Sequence, residues 1–255
     1  MRAIILAAGR GSRLQQPQTL QLPKCLLRFD GATLLYRHLC LLKRAGVDQV
    51  TLALGFRYEL VVGELDRIGW RPRPEVILNE RYELGSVLTV HTASDAITRG
   101  GDVLLMDADV LYDERTLAPL VAGAPPVNRL LIDRVFEAGD EPVKVCVRDG
   151  LPIELRKQIA PDLDYDVMGE SVGFFRLDQA AARRLADLAA AYVADERAAA
   201  PHEEALRDLL LERRWTFEVA DVTGVPWMEI DFPDDVMRAT RDVLPRLQPL
   251  PRPWK

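Results

Sequence analysis

Residues 2–14 read Arg2-Ala3-Ile4-Ile5-Leu6-Ala7-Ala8-Gly9-Arg10-Gly11-Ser12-Arg13-Leu14, and Pro23-Lys24 follows after a short loop. The apolar run 3–8 does not alternate with polar residues, so it reads as a central parallel strand buried on both faces. It is too short for a membrane span or a signal peptide, and glycine follows at once. A glycine-rich loop after such a strand lets backbone N–H groups approach a polyphosphate without obstruction by Cβ atoms. Arg13 and Lys24 supply the cations that such a ligand demands. On its glycines alone, the loop is equally a tight turn. It departs from the dinucleotide-binding fingerprint, because Leu14 stands where a third small residue belongs, and it lacks the Lys-Ser/Thr ending of a P-loop.

Outward from this loop the pattern alternates. Further strands are expected at 50–54, 75–78, 103–106 and 129–135, and helices at 33–45, 58–68, 86–97 and 116–121. Such alternation predicts an α/β fold: a doubly wound, mostly parallel sheet flanked by helices, with ligands at the strand C-termini. Beyond Gly139 short strands at 143–148, 151–156 and 172–177 predict a small antiparallel extension. Helices at 179–200 and 202–213 and a strand at 217–222 complete it. The expected organisation is a single domain: a nucleotide-binding core over 1–138, an extension over 139–248 and a Pro-rich tail over 249–255.

The 255 residues are 48% hydrophobic and 28% charged, enough to bury a sizeable core. A net charge of −6 argues against a general nucleic-acid binder, which needs a basic stripe. Cys25, Cys40 and Cys146 form no CxxC pair and read as reduced thiols of a cytoplasmic protein, and no stretch reaches membrane length. His38, His91 and His202 have no zinc-site spacing.

Asp107-Ala108-Asp109 ends the strand at 103–106. Two carboxylates there either share a divalent cation or cap the next helix. Glu229-Ile230-Asp231 offers further carboxylates, or else forms a solvated turn before Pro233.

Leu6 to Leu14 together with Pro23-Lys24 resembles the nucleotidyltransferase family that includes the sugar-1-phosphate nucleotidylyltransferases. The family pattern LAAGxGxRL followed by PK stands here as LAAGRGSRL over 6–14, with PK at 23 and 24. The resemblance implies that Leu6, Ala7, Ala8, Gly9, Gly11 and Ser12 hold a nucleoside triphosphate, and that Arg13 and Lys24 stabilise charge on the transferring phosphoryl group. Where the family has Arg-Pro-Leu-Thr, this chain has Gln15-Gln16-Pro17-Gln18-Thr19-Leu20. By the same resemblance Asp109 is the first-choice Mg²⁺ ligand, Asp107 the fallback, and Asp231 completes the site.

Trp227-Met228-Glu229-Ile230-Asp231-Phe232-Pro233-Asp234-Asp235 and Ser171-Val172-Gly173-Phe174-Phe175-Arg176-Leu177-Asp178 are similar to segments of one branch. That branch contains phosphocholine, 2-aminoethylphosphonate and inositol-phosphate cytidylyltransferases. It implies Mg²⁺-dependent transfer of CMP from CTP to a small phosphate or phosphonate acceptor, with release of pyrophosphate and an open expectation of a homodimer. A sugar-1-phosphate or inositol-phosphate acceptor is the runner-up. A non-catalytic nucleotide sensor is the alternative from another class; loss of Lys24 or the acidic pair would support it, and all are present. Gly85 and Ser86 open a helix and either read a base edge or cap it. The extension is expected to bind the acceptor: Lys144 holds its phosphate or is a solvated strand residue, Glu170 and Glu229 meet an amine, and Trp227, with Tyr82 and Tyr165, boxes a quaternary ammonium or is core.

Overall fold

The computed structural model describes residues 1–14, 22–123 and 128–250; the 15–20 loop and the tail beyond Leu250 lie outside the described residues. In chain order the elements are β1 (Arg2–Ala7), β2 (Arg28–Phe29), β3 (Ala32–Thr33), α1 (Leu34–Arg44), β4 (Val50–Leu54), α2 (Tyr58–Ile68), β5 (Glu75–Leu78), α3 (Ser86–Thr92), α4 (Ser94–Thr98), β6 (Val103–Asp107) and β7 (Val110–Tyr112). Then come α5 (Ala118–Val121), β8 (Asn128–Asp133), β9 (Lys144–Arg148), β10 (Leu151–Arg156), β11 (Val167–Leu177), α6 (Gln179–Ala194), α7 (His202–Arg213), β12 (Phe217–Asp221), β13 (Trp227–Glu229) and α8 (Pro233–Arg238).

The unbroken apolar run of β1 has the cause its sequence suggests. Ala3 and Ile5 enter one core with Leu52, Leu54, Leu104, Met106 and the α1 residues Leu35, Leu39 and Leu42. Ile4 points the other way, into a second core with Ala53, Leu105, Val87, Val90, Leu185 and Leu206. Both isoleucines are almost fully buried, which stabilises the fold by about 1.5–3 kcal/mol each. Thr33 caps α1 by accepting from the Tyr36 amide at 3.1 Å, and Asp178 caps α6 through the Ala181 amide at 2.7 Å.

β5, β4, β1 and β6 form the parallel heart of a nine-stranded sheet. β11 pairs antiparallel with β6 and β8, and β12 runs parallel to β8. The β9–β10 hairpin joins the N-terminal half of β11. The fold is therefore the mostly parallel, helix-flanked α/β sheet expected, with small antiparallel additions. The chain passes from β1 to β4 and β5 on one side, then returns with β6 on the other. That reversal opens a crevice at the C-terminal ends of β1 and β6.

Three elements differ from their sequence expectation. The 86–97 helix is broken at Ala93, where the Thr92, Ser94 and Thr98 hydroxyls bond back to carbonyls one turn earlier and bend the chain. The 179–200 helix stops at Ala194, because Glu196 takes φ +59°. β11 starts at Val167 and not at Val172, since Gly169 and Gly173 interrupt its apolar pattern. At Gly173 (φ +78°) a Cβ would stand 2.3 Å from Asp107 Oδ2, so the strand bulges past Asp107 only as glycine.

Candidate active site

The crevice holds two adjoining spaces. A small cavity of about 110 Å³ is lined by Leu6, Ala7, Gly9, Gly11, Lys24, Cys25, Ala108 and Asp109. Ala8 instead gives its carbonyl to the Phe56 amide, and Ser12 begins a short 3₁₀ turn outside the lining. A larger cavity of about 630 Å³ lies against β13, α8 and the 135–142 loop.

A strand pairing joins the distant carboxylates. β13 runs antiparallel to β7, with Glu229 opposite Val110, and the Ile230 amide donates to the Asp109 carbonyl at 3.0 Å. Ile230, fully buried with Phe29, Leu34 and Leu111, pins the turn from below. Asp109, Glu229 and Asp231 consequently each bring an oxygen within 4.8 Å of the others. Lys24 Nζ donates to Asp109 Oδ2 at 2.8 Å and to Asp231 Oδ1. Although burial opposes its charge, these two carboxylates hold the Lys24 pKa above its ordinary value. Arg13, half exposed, donates to Glu141 at 2.7 Å and to Asp231 Oδ2 at 3.4 Å. The Glu229 side chain reaches solvent, yet the protein packed around its carboxyl and the charges of Asp109, Asp231 and Asp107 raise its pKa. Three hard oxygen donors in excess of one ammonium suit a hard divalent cation such as Mg²⁺.

Two histidines brace the 107–109 turn, and no local spacing marks either of them for that role. His38 Nε2 lies 3.2 Å from the Ala108 carbonyl, and Nδ1 3.2 Å from the Tyr112 hydroxyl. Burial pulls its pKa down to about 4, so it is neutral, donating to the carbonyl and accepting from the tyrosine. His202 has its Nε2 3.5 Å from Asp107 Oδ1 and its Nδ1 3.1 Å from Glu203. Burial opposes its charge, but Glu203 and Asp107 outweigh it and raise the pKa to about 9. Asp107 is itself pushed up to about 7 by burial and by Asp109 and Glu203. It is thus engaged by His202 and stands outside the carboxylate triplet.

The remaining expected residues separate into two groups. Glu170, Trp227 and Glu229 line the larger cavity. Burial and Asp133 raise the Glu170 pKa to about 7, against the pull of Lys144, and Trp227 Nε1 donates to Asp133 at 2.9 Å. Lys144 is not presented to the cavity: its ammonium is taken by the Gly139, Pro142 and Lys157 carbonyls, which fold the loop around it. The Ser86 hydroxyl accepts from the His202 amide at 2.8 Å and does not cap α3. Gly85 packs against the Ala198 and Ala199 backbone with no room for a Cβ. Tyr82 stacks edge-on with Phe56, and neither it nor Tyr165 lines the cavity; the aromatic partners of Trp227 there are Phe136 and Phe232. Sequence reading missed Glu137, Asp140 and Glu141 because acidic residues in a loop read as solvated, Asp133 because it ends a strand, and Asp235 because carboxylates are common in the first turn of a helix.

A phosphate-sized space over a glycine loop, a buried lysine and a cluster of carboxylates, all at a sheet's switch point, answer the needs of nucleotidyl transfer, and the chain is a nucleotidyltransferase. It belongs to the MobA-like NTP transferase domain family, whose model matches residues 3–170. It is similar to the "Bifunctional IPC transferase and DIPP synthase" of Aquifex aeolicus (strain VF5), with 30% identity over 243 residues, covering 94% of this chain and 51% of the relative. It is also similar to the "CMP-5'-(3-aminopropyl)phosphonate synthase" of Streptomyces rubellomurinus, 28% identical over 252 residues, covering 94% of this chain and 38% of the relative. The chain therefore spans about half of the first relative and less of the second. The solved inositol-1-phosphate CTP transferase from T. maritima shares the fold, with a TM-score of 0.76, 20% identity and coverage of 96% of this chain and 95% of that one. No helix among the described residues is long and apolar enough to cross a membrane.

Proposed function

We propose that this nucleotidyltransferase moves CMP from CTP to a small phosphate or phosphonate that also carries a cationic amine. One observation carries the reading: the larger cavity is lined by eight carboxylate residues, Asp133, Glu137, Asp140, Glu141, Glu170, Glu229, Asp231 and Asp235. The one cation among its described lining residues, Arg238, is spent on Glu137 through two hydrogen bonds of 2.7 and 3.2 Å. A dianionic acceptor without a positive group would enter such a cavity against repulsion on every side. An aminoalkyl acceptor offsets it, and the name of the Streptomyces relative joins an amine to a phosphonate.

In this reading an acceptor oxygen attacks the α-phosphorus of CTP in line, the bond from that phosphorus to the bridging oxygen breaks, and pyrophosphate leaves with the electron pair. The nucleophile is already anionic, so no general base is required. Arg13 and Lys24 stabilise the charge gathered on the transferring group. Asp109, Glu229 and Asp231 would hold a Mg²⁺ ion, which when bound neutralises phosphate charge. A sugar-1-phosphate or inositol-phosphate acceptor is a second reading, since carboxylates also accept hydrogen bonds from hydroxyls. A pyrophosphate-release screen crossing four NTPs with phosphocholine, 2-aminoethylphosphonate, 3-aminopropylphosphonate, inositol phosphate and hexose-1-phosphates decides between them. Turnover confined to neutral acceptors overturns the proposal.

A further inference from the structure

Asp231 owes its place to more than strand pairing. β13 ends at Glu229, and the next regular element, α8, starts at Pro233. Of the three residues between, Ile230 is still held through its amide bond to the Asp109 carbonyl, but Asp231 and Phe232 lie beyond the ladder. Asp235, the third residue of α8, bridges this gap with one oxygen. Its Oδ2 accepts from the Phe232 amide at 2.7 Å and from the Asp231 amide at 3.0 Å. The first bond is the half of a capping box that the N3 side chain makes by reaching back to the N-cap amide; Phe232 has no side-chain acceptor for the other half. The second reaches one residue further than capping requires, and that residue bears the carboxylate lying between Lys24 and Arg13. Asp235 is mostly buried, with 16% of its side chain exposed, and Arg238 one turn on lies 3.8 Å from it while gripping Glu137 across the cavity. The acceptor in these bonds is thus held from behind.

From this arrangement we infer that Asp235 is the positioning residue for Asp231: it fixes the backbone from which the Asp231 carboxylate meets Asp109 and Glu229. The inference rests on reading that triplet as the cation site. A carboxylate amide anchor of this kind restricts the Asp231 φ and ψ, and so the direction of its Cα–Cβ bond. Loss of the anchor lets the carboxylate wander away from the site while every nominal ligand remains present.

The test is direct binding of Mn²⁺ to the intact protein, followed by paramagnetic resonance, beside steady-state kinetics and circular dichroism. Asp235→Ala is expected to weaken Mn²⁺ binding about 10-fold or more and to lower kcat, with little change in the acceptor KM, as loss of a residue that orients a metal ligand does. Asp235→Asn keeps an oxygen acceptor without the charge and should return both values to near wild type. Asp235→Glu keeps the charge and can still reach back to the N-cap amide, so it folds even where the alanine variant does not. It carries the carboxylate one methylene away from its station and should weaken Mn²⁺ binding. Wild-type Mn²⁺ affinity in the alanine or glutamate variant overturns the inference, as does an asparagine variant as poor as alanine, which would mean that charge and not anchoring matters. Asp109→Asn separates the two readings: if it binds Mn²⁺ as tightly as wild type, the triplet is not the cation site at all.

Discussion

Lys24 Nζ donates to Asp109 Oδ2 at 2.8 Å. The same ammonium also bonds Asp231, so it occupies the ground between carboxylates that a divalent cation would claim. Catalysis by Lys24 then requires it to leave them for a phosphate oxygen. Lys24→Ala should lower turnover at least about 100-fold, near 3 kcal/mol of transition-state stabilisation. Lys24→Met should bind Mn²⁺ more tightly than wild type when no nucleotide is present, because the competing charge is gone. Unchanged pyrophosphate release in the alanine variant would show that the catalytic lysine lies elsewhere.

Asp109, just before β7, and Asp231, just after β13, are the hard oxygen donors proposed as ligands of the cation. Activity should vanish on EDTA treatment and return with Mg²⁺, and Asp109→Ala and Asp231→Ala should each abolish it. Full activity after chelation removes the metal from the mechanism. If only Asp109 matters, the 229–231 segment is a structural turn.

The sequence showed most of this framework, for physical reasons that differ by element. β4 and α2 were legible to the residue and β1 to within one residue, because their apolar runs end in Gly55, Gly69 or the glycine loop. Lys24 and the two acidic segments were legible through a family pattern. What stayed hidden depends on tertiary contact. His202 bears no local sign that α7 will carry it to Asp107, and Lys144 is diverted by carbonyls that no spacing foretells. Gly173 stood inside the strand expected over 172–177, and nothing local showed that its missing side chain makes room for Asp107.

Gly173→Ala should therefore act on stability and site together. The left-handed φ alone costs an alanine about 1–2 kcal/mol, and the overlap with Asp107 Oδ2 adds to it. Differential scanning calorimetry should register a lower Tm, and pyrophosphate release should fall more than the folded fraction does. A variant with wild-type Tm would show that β11 relaxes around the new methyl group.

Glu170 gives the larger cavity a pH dependence. Its pKa is raised from 4.5 to about 7 by burial and by Asp133. Between those values the native state holds a proton that the unfolded chain has lost, so this group lowers stability as pH rises through the window, with the full penalty present above 7. Wild type should lose Tm from pH 5 to pH 8 relative to Glu170→Gln. A cationic acceptor should show the opposite trend: Glu170 becomes an anion above pH 7, and the wild-type acceptor KM should fall there relative to the glutamine variant at each pH. Parallel profiles for the two proteins would remove Glu170 from acceptor binding.

The acceptor itself is tested at Trp227. This residue lines the cavity beside Phe136 and Phe232 and donates through Nε1 to Asp133, so it offers an aromatic surface and also holds one of the surrounding carboxylates in place. A cation against an aromatic face gains about 0.5–2 kcal/mol, and the upper half of that range corresponds to roughly tenfold or more in affinity. Trp227→Leu keeps an apolar side chain but removes both the ring and the Nε1 donor. It should raise the KM for an aminoalkyl phosphonate about tenfold while leaving the CTP KM nearly unchanged, because the proposed nucleotide site is the small glycine-loop cavity, which Trp227 does not line. An inositol or sugar phosphate has no positive group to lose, and its KM should respond weakly. The two acceptor classes are thus separated by one variant. Equal losses for charged and neutral acceptors would mean that Trp227 only shapes the cavity wall. Efficient turnover of a hexose-1-phosphate, with phosphocholine and both aminoalkyl phosphonates inert, would sink the amine reading altogether.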